Sequence, residues 1–399
     1  MTQSFSADSI VLPRDSNQAL GIAQFAIDFL GGKYGDNVDE NVYEKVRLFH
    51  TDSVLCGVSA LALKTNAPTI LREEALDYPC ACGARVFGSL TRSQPEKVVA
   101  ANCAAVREWD SNGTVFGFNP KLKGHQAGEF GHNDFYPVVI AAAQAGAENV
   151  DGRKALRAML CLDEIRGRLA EVFSLKSFKI DHVVYGAVAS AAVYGALLGA
   201  SAEQIESAIG LSVAHYIPWR AIRAGKQLSD SKGSSAALAA EAAVLSMRRA
   251  IKGFVGPRDI FRNPEAVFRW NVKTDGESPF DLVLTHSGKD FAVSRMHFKL
   301  GLYEHQSAGA LEGLIRLLVA HPVISREPNR IQAISVTAYE PAFSIIGDVA
   351  KRDPRTRQSA DHSMVCTYTA SRVVYAESQE AGKAGSDVTT FLWTDEALE

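Results

Sequence analysis

The chain has 399 residues, 47% of them hydrophobic and 22% charged, with a formal net charge of -3 and a pI near 6.4. Those figures describe a soluble globular protein long enough for two domains. They leave no electrostatic footprint for nucleic acid or an anionic membrane surface, so neither is expected as a partner.

The N-terminus, MTQSFSADSIVLPRDS, has no basic segment leading into an apolar core, so no secretory leader is read there. Its one arginine and two aspartates give only weak support for a mitochondrial presequence. Apolar residues at three- and four-residue spacing predict helices near 17–32, 40–63, 96–108, 138–148, 152–174, 183–199, 202–214 and 233–251. The stretch 183–200 is uncharged and close to membrane-spanning length. It is made mostly of Ala, Gly, Val, Ser and Tyr, and reads as the buried centre of a helical domain. Small residues there and in 233–251 let helix axes approach closely. The six cysteines are scattered and fit a reducing compartment; Cys80 and Cys82 form a short CAC motif without a second ligand pair, and read as loop thiols.

From about residue 265 the texture changes to predicted strands (DLVLTH, MHFKLGL, RIQAISVTAY) alternating with helices near 307–320 and 359–378. This predicts a mainly α protein: an all-helical domain over 1–264 and a smaller α+β domain over 265–399.

The helices are interrupted at 109–136, WDSNGTVFGFNPKLKGHQAGEFGHNDFY. A loop that long inside a compact domain is generally functional or disordered, and its aromatics argue against disorder. His132 stands just before a helix whose first turn holds Pro137. Asp181 and His182 precede the 183–199 helix, with Asp181 the expected N-cap. Lys232 follows Ser229 or Asp230 as the N-cap of another. A lysine in a first turn opposes the helix dipole by about 0.3–1 kcal/mol, and an anion seated on the free N–H groups would reverse that penalty. Small neighbours (Gly233, Ser234, Ser235) and the upstream Arg220, Arg223 and Lys226 suit a carboxylate. On these residues alone, a solvated Lys232 is as open as an anion site, and His182 in an apolar run reads as a satisfied core histidine. Lys299, Tyr303 and His305 form a second cluster at a strand end, and Asp361 and His362 stand near another helix start. No metal-ligand spacing, GxGxxG, Walker loop or GxSxG elbow is present, so no cofactor is expected.

In order along the chain, REWDSNGT…EFGHND, DHVVYGAVASAAVYGALLGASAEQIESAIGLS, SKGSSAALAAEAAVLSMRRAIKGFVGPRDIF, HFKLGLYEHQSA and DPRTRQSADHS resemble the MmgE/PrpD family from about residue 20 to about 375. That family includes 2-methylcitrate dehydratase, cis-aconitate decarboxylase and an iminodisuccinate epimerase. The resemblance implies a helical domain with an α+β lid, a homodimer, and an active site in the cleft between domains that works without cofactor on small polycarboxylates. By motif it carries catalytic roles to Asp110, His132, His182 and His305. Substrate-binding roles pass to Thr114, Arg223, Lys232 and Lys299, with Arg223 added from the anion-pocket reading. The implied activity is that of a hydro-lyase of propionate metabolism in the cytoplasm, or in the mitochondrial matrix of a eukaryote. A decarboxylase or epimerase of a related acid, and a non-catalytic homologue acting through dimerisation, are the alternatives. Three departures stand out. The segment between Thr114 and His132 is longer, the usual GHPSD reads GHND, and the lid motif from Lys299 to His305 is shorter. Relative to the family pattern, the lid is expected to be incomplete at Glu399.

Overall fold

The structure is a computed structural model. It describes residues 8–332 and 337, except 110–112, 114, 118, 120–128, 131–132, 148, 223–228, 271, 273, 275 and 299–307. The chain divides into two compact units, one of residues 1–222 and 233–297, the other of residues 223–232 and 298–399.

The first unit is mainly helical: α1 (Gln18–Leu30), α2 (Glu40–Ala62), α3 (Asn66–Leu76), α4 (Pro95–Arg107), α5 (Pro137–Gln144), α6 (Gly152–Val172), α7 (Val183–Leu197), α8 (Ala202–His215) and most of α9 (Asp230–Ile251). Each start has a physical cause. Asn17, Asp39 and Asp151 cap α1, α2 and α6 through side-chain acceptors, and a reciprocal Ser201/Gln204 capping box opens α8. Pro95 and Pro137 open α4 and α5, where a missing N–H removes nothing. The expected helices are present. The 138–148 helix is shorter than its pattern, ending at Gln144, and α3 follows a turn at Lys64 (φ +52°) that the pattern did not signal.

The uncharged stretch at 183–200 forms α7, which packs against α1, α5, α6 and α8. It is apolar all round because neighbours surround it. Among the described residues no single helix is long and apolar enough to cross a membrane, although the bent pair α2 and α3 meets that length and composition together. Gly186 shows why the small residues are needed. A Cβ built there would lie 2.1 Å from the ring of Phe135, so the backbone of α7 serves as the floor on which that ring rests.

Three antiparallel ribbons complete this unit: β1 (Ser9–Leu12) with β6 (Leu282–Thr285), β2 (Pro79–Arg85) with β3 (Arg92–Ser93), and β4 (Val115–Phe116) with β5 (Glu129–Phe130). The DLVLTH segment supplies β6, which pairs with the N-terminal strand in the register Ser9↔Thr285 to Leu12↔Leu282. That pairing places Leu282–Thr285 within the first unit. Phe173, Phe261, Phe268 and Phe280 pack tilted or edge-to-face at centroid separations of 4.6–6.2 Å.

In the second unit the described elements include α10 (Ala308–Ala320) and α11 (Val323–Arg326). Leu318 is buried there under Leu314, Ile324 and Ile331. Of the expected strands MHFKLGL (296–302) and RIQAISVTAY (330–339), the described residues 296–298, 330–332 and 337 form no named strand, and the rest lie outside the described residues, as does the helix near 359–378.

Gly186→Ala is expected to lower the unfolding free energy by about 1–3 kcal/mol, because overpacking against Phe135 outweighs the gain in helix propensity. Urea unfolding measures this, and an unchanged or raised stability would show that Phe135 has room to move.

Candidate active site

The 109–136 segment is anchored at several points. β4 and β5 pair Val115 with Phe130 and Phe116 with Glu129, so the residues between them leave and return at one place. Gly117, at φ +72°, lies so close to α6 that a Cβ would meet the Gly167 carbonyl at 2.7 Å. Asn119 donates its side-chain amide to the Glu171 carbonyl at 3.2 Å. At the C-terminal end Asn133–Phe135 forms a single 3-10 turn that runs into α5.

That turn carries the residue that docks it. Asp134 is buried, with Arg107 Nε at 3.7 Å from one carboxylate oxygen and Arg166 Nη1 at 3.8 Å from the other. Arg166 is itself wholly buried and donates from Nε to Asp163 at 3.0 Å, while the Tyr136 hydroxyl donates to the other oxygen of Asp163 at 2.6 Å. Burial pushes the Asp163 carboxyl up from its ordinary range, against the opposing pull of Arg166 and the Tyr136 hydrogen bond. The same burial, together with Asp163, raises the Tyr136 phenol well above its ordinary value. The Arg166 guanidinium also lies 5.2 Å from the Phe135 ring centroid. Ends of α4 and α5 and the middle of α6 are thus tied through one buried set of charges immediately after His132.

A second polar cluster stands at the start of α7. Residues 179–181 run beside 218–220: Ile180 bridges Trp219, Asp181 N–H donates to the Pro218 carbonyl at 2.9 Å, and Arg220 N–H donates to the Lys179 carbonyl at 2.8 Å. Asp181 is wholly buried. Its Oδ1 accepts from the Val183 N–H and from the Ser235 hydroxyl of α9, each at 3.3 Å. The cap of α7 therefore reaches in from one residue outside the helix, while His182 itself occupies the N-cap position. His182 is buried, with Nε2 3.9 Å from Asp181 Oδ1. In α9, Ser229 accepts from the Lys232 N–H at 3.0 Å, which puts Lys232 in the opening turn, and the Lys232 side chain is buried.

The structure thus places His182 and Lys232 each at the opening of a helix and buried, not solvated. Asp110, Thr114, His132, Arg223, Lys299 and His305 lie outside the described residues, as do Lys226, Tyr303, Asp361 and His362. Sequence reasoning missed Arg107, Asp163, Arg166 and Asp181–Ser235 as organising groups. The one available signal was the spacing of DEIRGR within α6, where Asp163/Arg166 and Glu164/Arg168 pair at three and four residues.

A cavity of about 380 Å³ lies next to this cluster, lined by Ile180, Val213, Trp219, Ile260 and Trp270 among others. Asn263 and Glu265 supply polar groups, and its described lining residues are otherwise mainly apolar. Among the described residues no three His, Cys, Asp or Glu side chains come together as a metal site.

Arg166→Met is expected to destabilise the protein by about 3–5 kcal/mol, since it strands Asp163 and Asp134 in the interior. Denaturant unfolding checks this, and a loss below about 1 kcal/mol would mean that the carboxylates are neutralised by other means.

A family model described as the MmgE/PrpD N-terminal domain matches residues 24–278, which includes the 109–136 segment and the openings of α7 and α9. Since the match spans well over half of the chain, the protein belongs to the MmgE/PrpD family.

Proposed function

We propose that the protein is a 2-methylcitrate-dehydratase-like hydro-lyase, removing water from a small hydroxy-polycarboxylate by acid–base catalysis without a cofactor. The observation that carries this is the buried His182, placed at the start of α7 beside the buried carboxylate Asp181, in a chain of this family.

Elimination of water needs three things. A base takes the proton on the carbon α to a carboxylate, an acid protonates the departing hydroxyl, and cations hold the carboxylates. In this reading His182 and His132 divide the two proton transfers, with Asp110 orienting or accepting. Lys232, Arg223 and Lys299 hold carboxylates, Thr114 contributes a hydroxyl, and His305 completes the site. Lys232 supports the assignment because its side chain is buried in the first turn of α9, where backbone N–H groups favour an anion. Two serines follow at Ser234 and Ser235, both buried. Asp181, held by Ser235 and by the Val183 N–H, fixes the backbone from which His182 projects.

The deciding experiment offers purified protein 2-methylcitrate, citrate and cis-aconitate in turn and follows the conjugated alkene in the ultraviolet. Alkene appearing from 2-methylcitrate is the expected result, and carbon dioxide released from cis-aconitate without any dehydration would replace the lyase reading with decarboxylation. His182→Gln keeps a polar side chain but removes proton transfer near neutral pH, so turnover should fall roughly 10²–10⁴-fold. Circular dichroism and melting temperature should stay close to the parent, and turnover unaffected by the change takes His182 out of the mechanism.

Lys232→Met keeps the apolar stem and deletes the charge. KM should rise roughly 10–100-fold, the loss of one charge-assisted hydrogen bond, with little change in stability. A collapse of stability at unchanged KM would make the lysine a structural residue. Because the sequence has no metal-ligand spacing, EDTA should leave turnover unchanged, and activity lost to EDTA and restored by a divalent ion would overturn that expectation.

A further inference from the structure

Cys80 and Cys82 do not behave as isolated loop thiols. Their sulfurs are 3.6 Å apart, in contact. In a regular strand residues two apart are separated by roughly 6.6–6.8 Å, at the outer limit of Cα separations that a disulfide spans. β2 is not regular here. Pro79 and Ala84 both stand opposite Ser93, and Gly83 presses on the Ser93 carbonyl, so residues 80–82 arch away from β3 between two points of attachment. The arch brings the two side chains together on its outer side, where Cys82 is exposed and Cys80 half-buried. The other described cysteines, Cys56, Cys103 and Cys161, are buried, and burial raises the thiols of Cys103 and Cys161.

A depression of about 310 Å³ borders the arch. It is lined by Tyr78, Gln94, Glu96, Arg248, Arg249 and Lys252, with Leu245 as its apolar contact. Three cations face one carboxylate, Glu96, which is bonded to Arg248. Tyr78 is two residues before Cys80, and the charge of Arg248 is felt at the Cys80 sulfur. Lys97 stands 5.1 Å over the Tyr78 ring and is paired with Glu74 and Glu241, so the positive charge of the depression comes from Arg248, Arg249 and Lys252.

We propose that Cys80 and Cys82 form a redox-active dithiol that exchanges with a small disulfide carrying carboxylates, of the oxidised-glutathione class, drawn to the basic depression beside it. The exposed Cys82 thiolate attacks one sulfur of the incoming disulfide, forming a mixed disulfide and releasing the first thiol. The Cys80 thiolate then attacks the Cys82 sulfur, closing the Cys80–Cys82 bond and releasing the second. Two protein thiols are oxidised, one small disulfide is reduced, and their protons leave with the two small thiols. Burial, and then the contact with Cys82, raises the Cys80 thiol, which suits Cys82 as the attacking group and Cys80 as the resolving one. A ring closed over so short a span is strained, so the bond should reopen readily in reduced glutathione.

Full-length protein is incubated with oxidised glutathione, quenched in acid, blocked with N-ethylmaleimide and cut with trypsin. The peptide Glu73–Arg85, EEALDYPCACGAR, contains both thiols and no other cysteine. In the parent it should lose the mass of two hydrogens, carry no glutathione, and return to the dithiol on adding reduced glutathione. In Cys80→Ser it should stop at one glutathione on Cys82. Stable glutathione adducts on the parent peptide, or a peptide that stays reduced, would overturn the pairing. Lys252→Glu, on an exposed residue, should slow reaction with oxidised glutathione about three-fold or more and leave reaction with neutral hydroxyethyl disulfide unchanged. An equal effect on both reagents, or none on either, would overturn the role of the depression.

Discussion

The buried carboxylate of Asp134 is the constraint on which the neighbourhood of the candidate site depends. An ionised carboxylate in a helical interior is tolerated only with cations beside it, and here Arg107 and Arg166 come from two different helices. Meeting that demand fixes where the 3-10 turn ends and α5 begins, and so where the chain stands just after His132. β4–β5 and the contact of Gly117 with α6 hold the other end. The segment is attached to the helical unit at both ends, and the strongest attachment is electrostatic.

The second organising feature is the close packing around α7. Because Gly186 has no side chain, the Phe135 ring can lie on the helix backbone, and that ring belongs to the same turn as Asp134. At the start of α7, Asp181 accepts from Ser235, so the openings of α7 and α9 are linked through a single carboxylate. Packing and polar contacts thus act on the same few residues from opposite sides.

The helices were legible because amphipathic spacing and capping residues are local signals. Asn17, Asp39, Asp151 and Ser201 announce helix starts within four residues of sequence. The β1–β6 pairing was not legible, since Ser9–Leu12 meets its partner some 270 residues later and nothing local specifies it. Nor were the buried charges of α6. Amphipathic spacing predicts a helix over 152–174 but not that Asp163, Glu164, Arg166 and Arg168 are buried and paired inside. Glu164 even accepts the backbone N–H groups of Thr285 and Ala292, contacts between segments more than a hundred residues apart. Of the candidate site, the histidine and lysine were legible as residue types at helix openings. Their burial was not, because whether a first-turn lysine is solvated depends on what covers it.

The two buried polar clusters differ in kind, and the difference separates architecture from chemistry. Around Asp134 and Asp163 the cations are arginines, which stay charged at any pH a folded protein meets, and the acids face them at fixed positions. Such a cluster holds geometry. Around Asp181 the partners include His182 and the Ser235 hydroxyl. Histidine is the residue type that exchanges protons between about pH 5 and 8, and a hydroxyl can reorient toward an arriving carboxylate. An interior that needed only to be held together would have used the first kind of cluster at both places. The second kind, set at a helix opening where backbone N–H groups already point outward, is the arrangement on which the proposed acid–base work on an anion would draw.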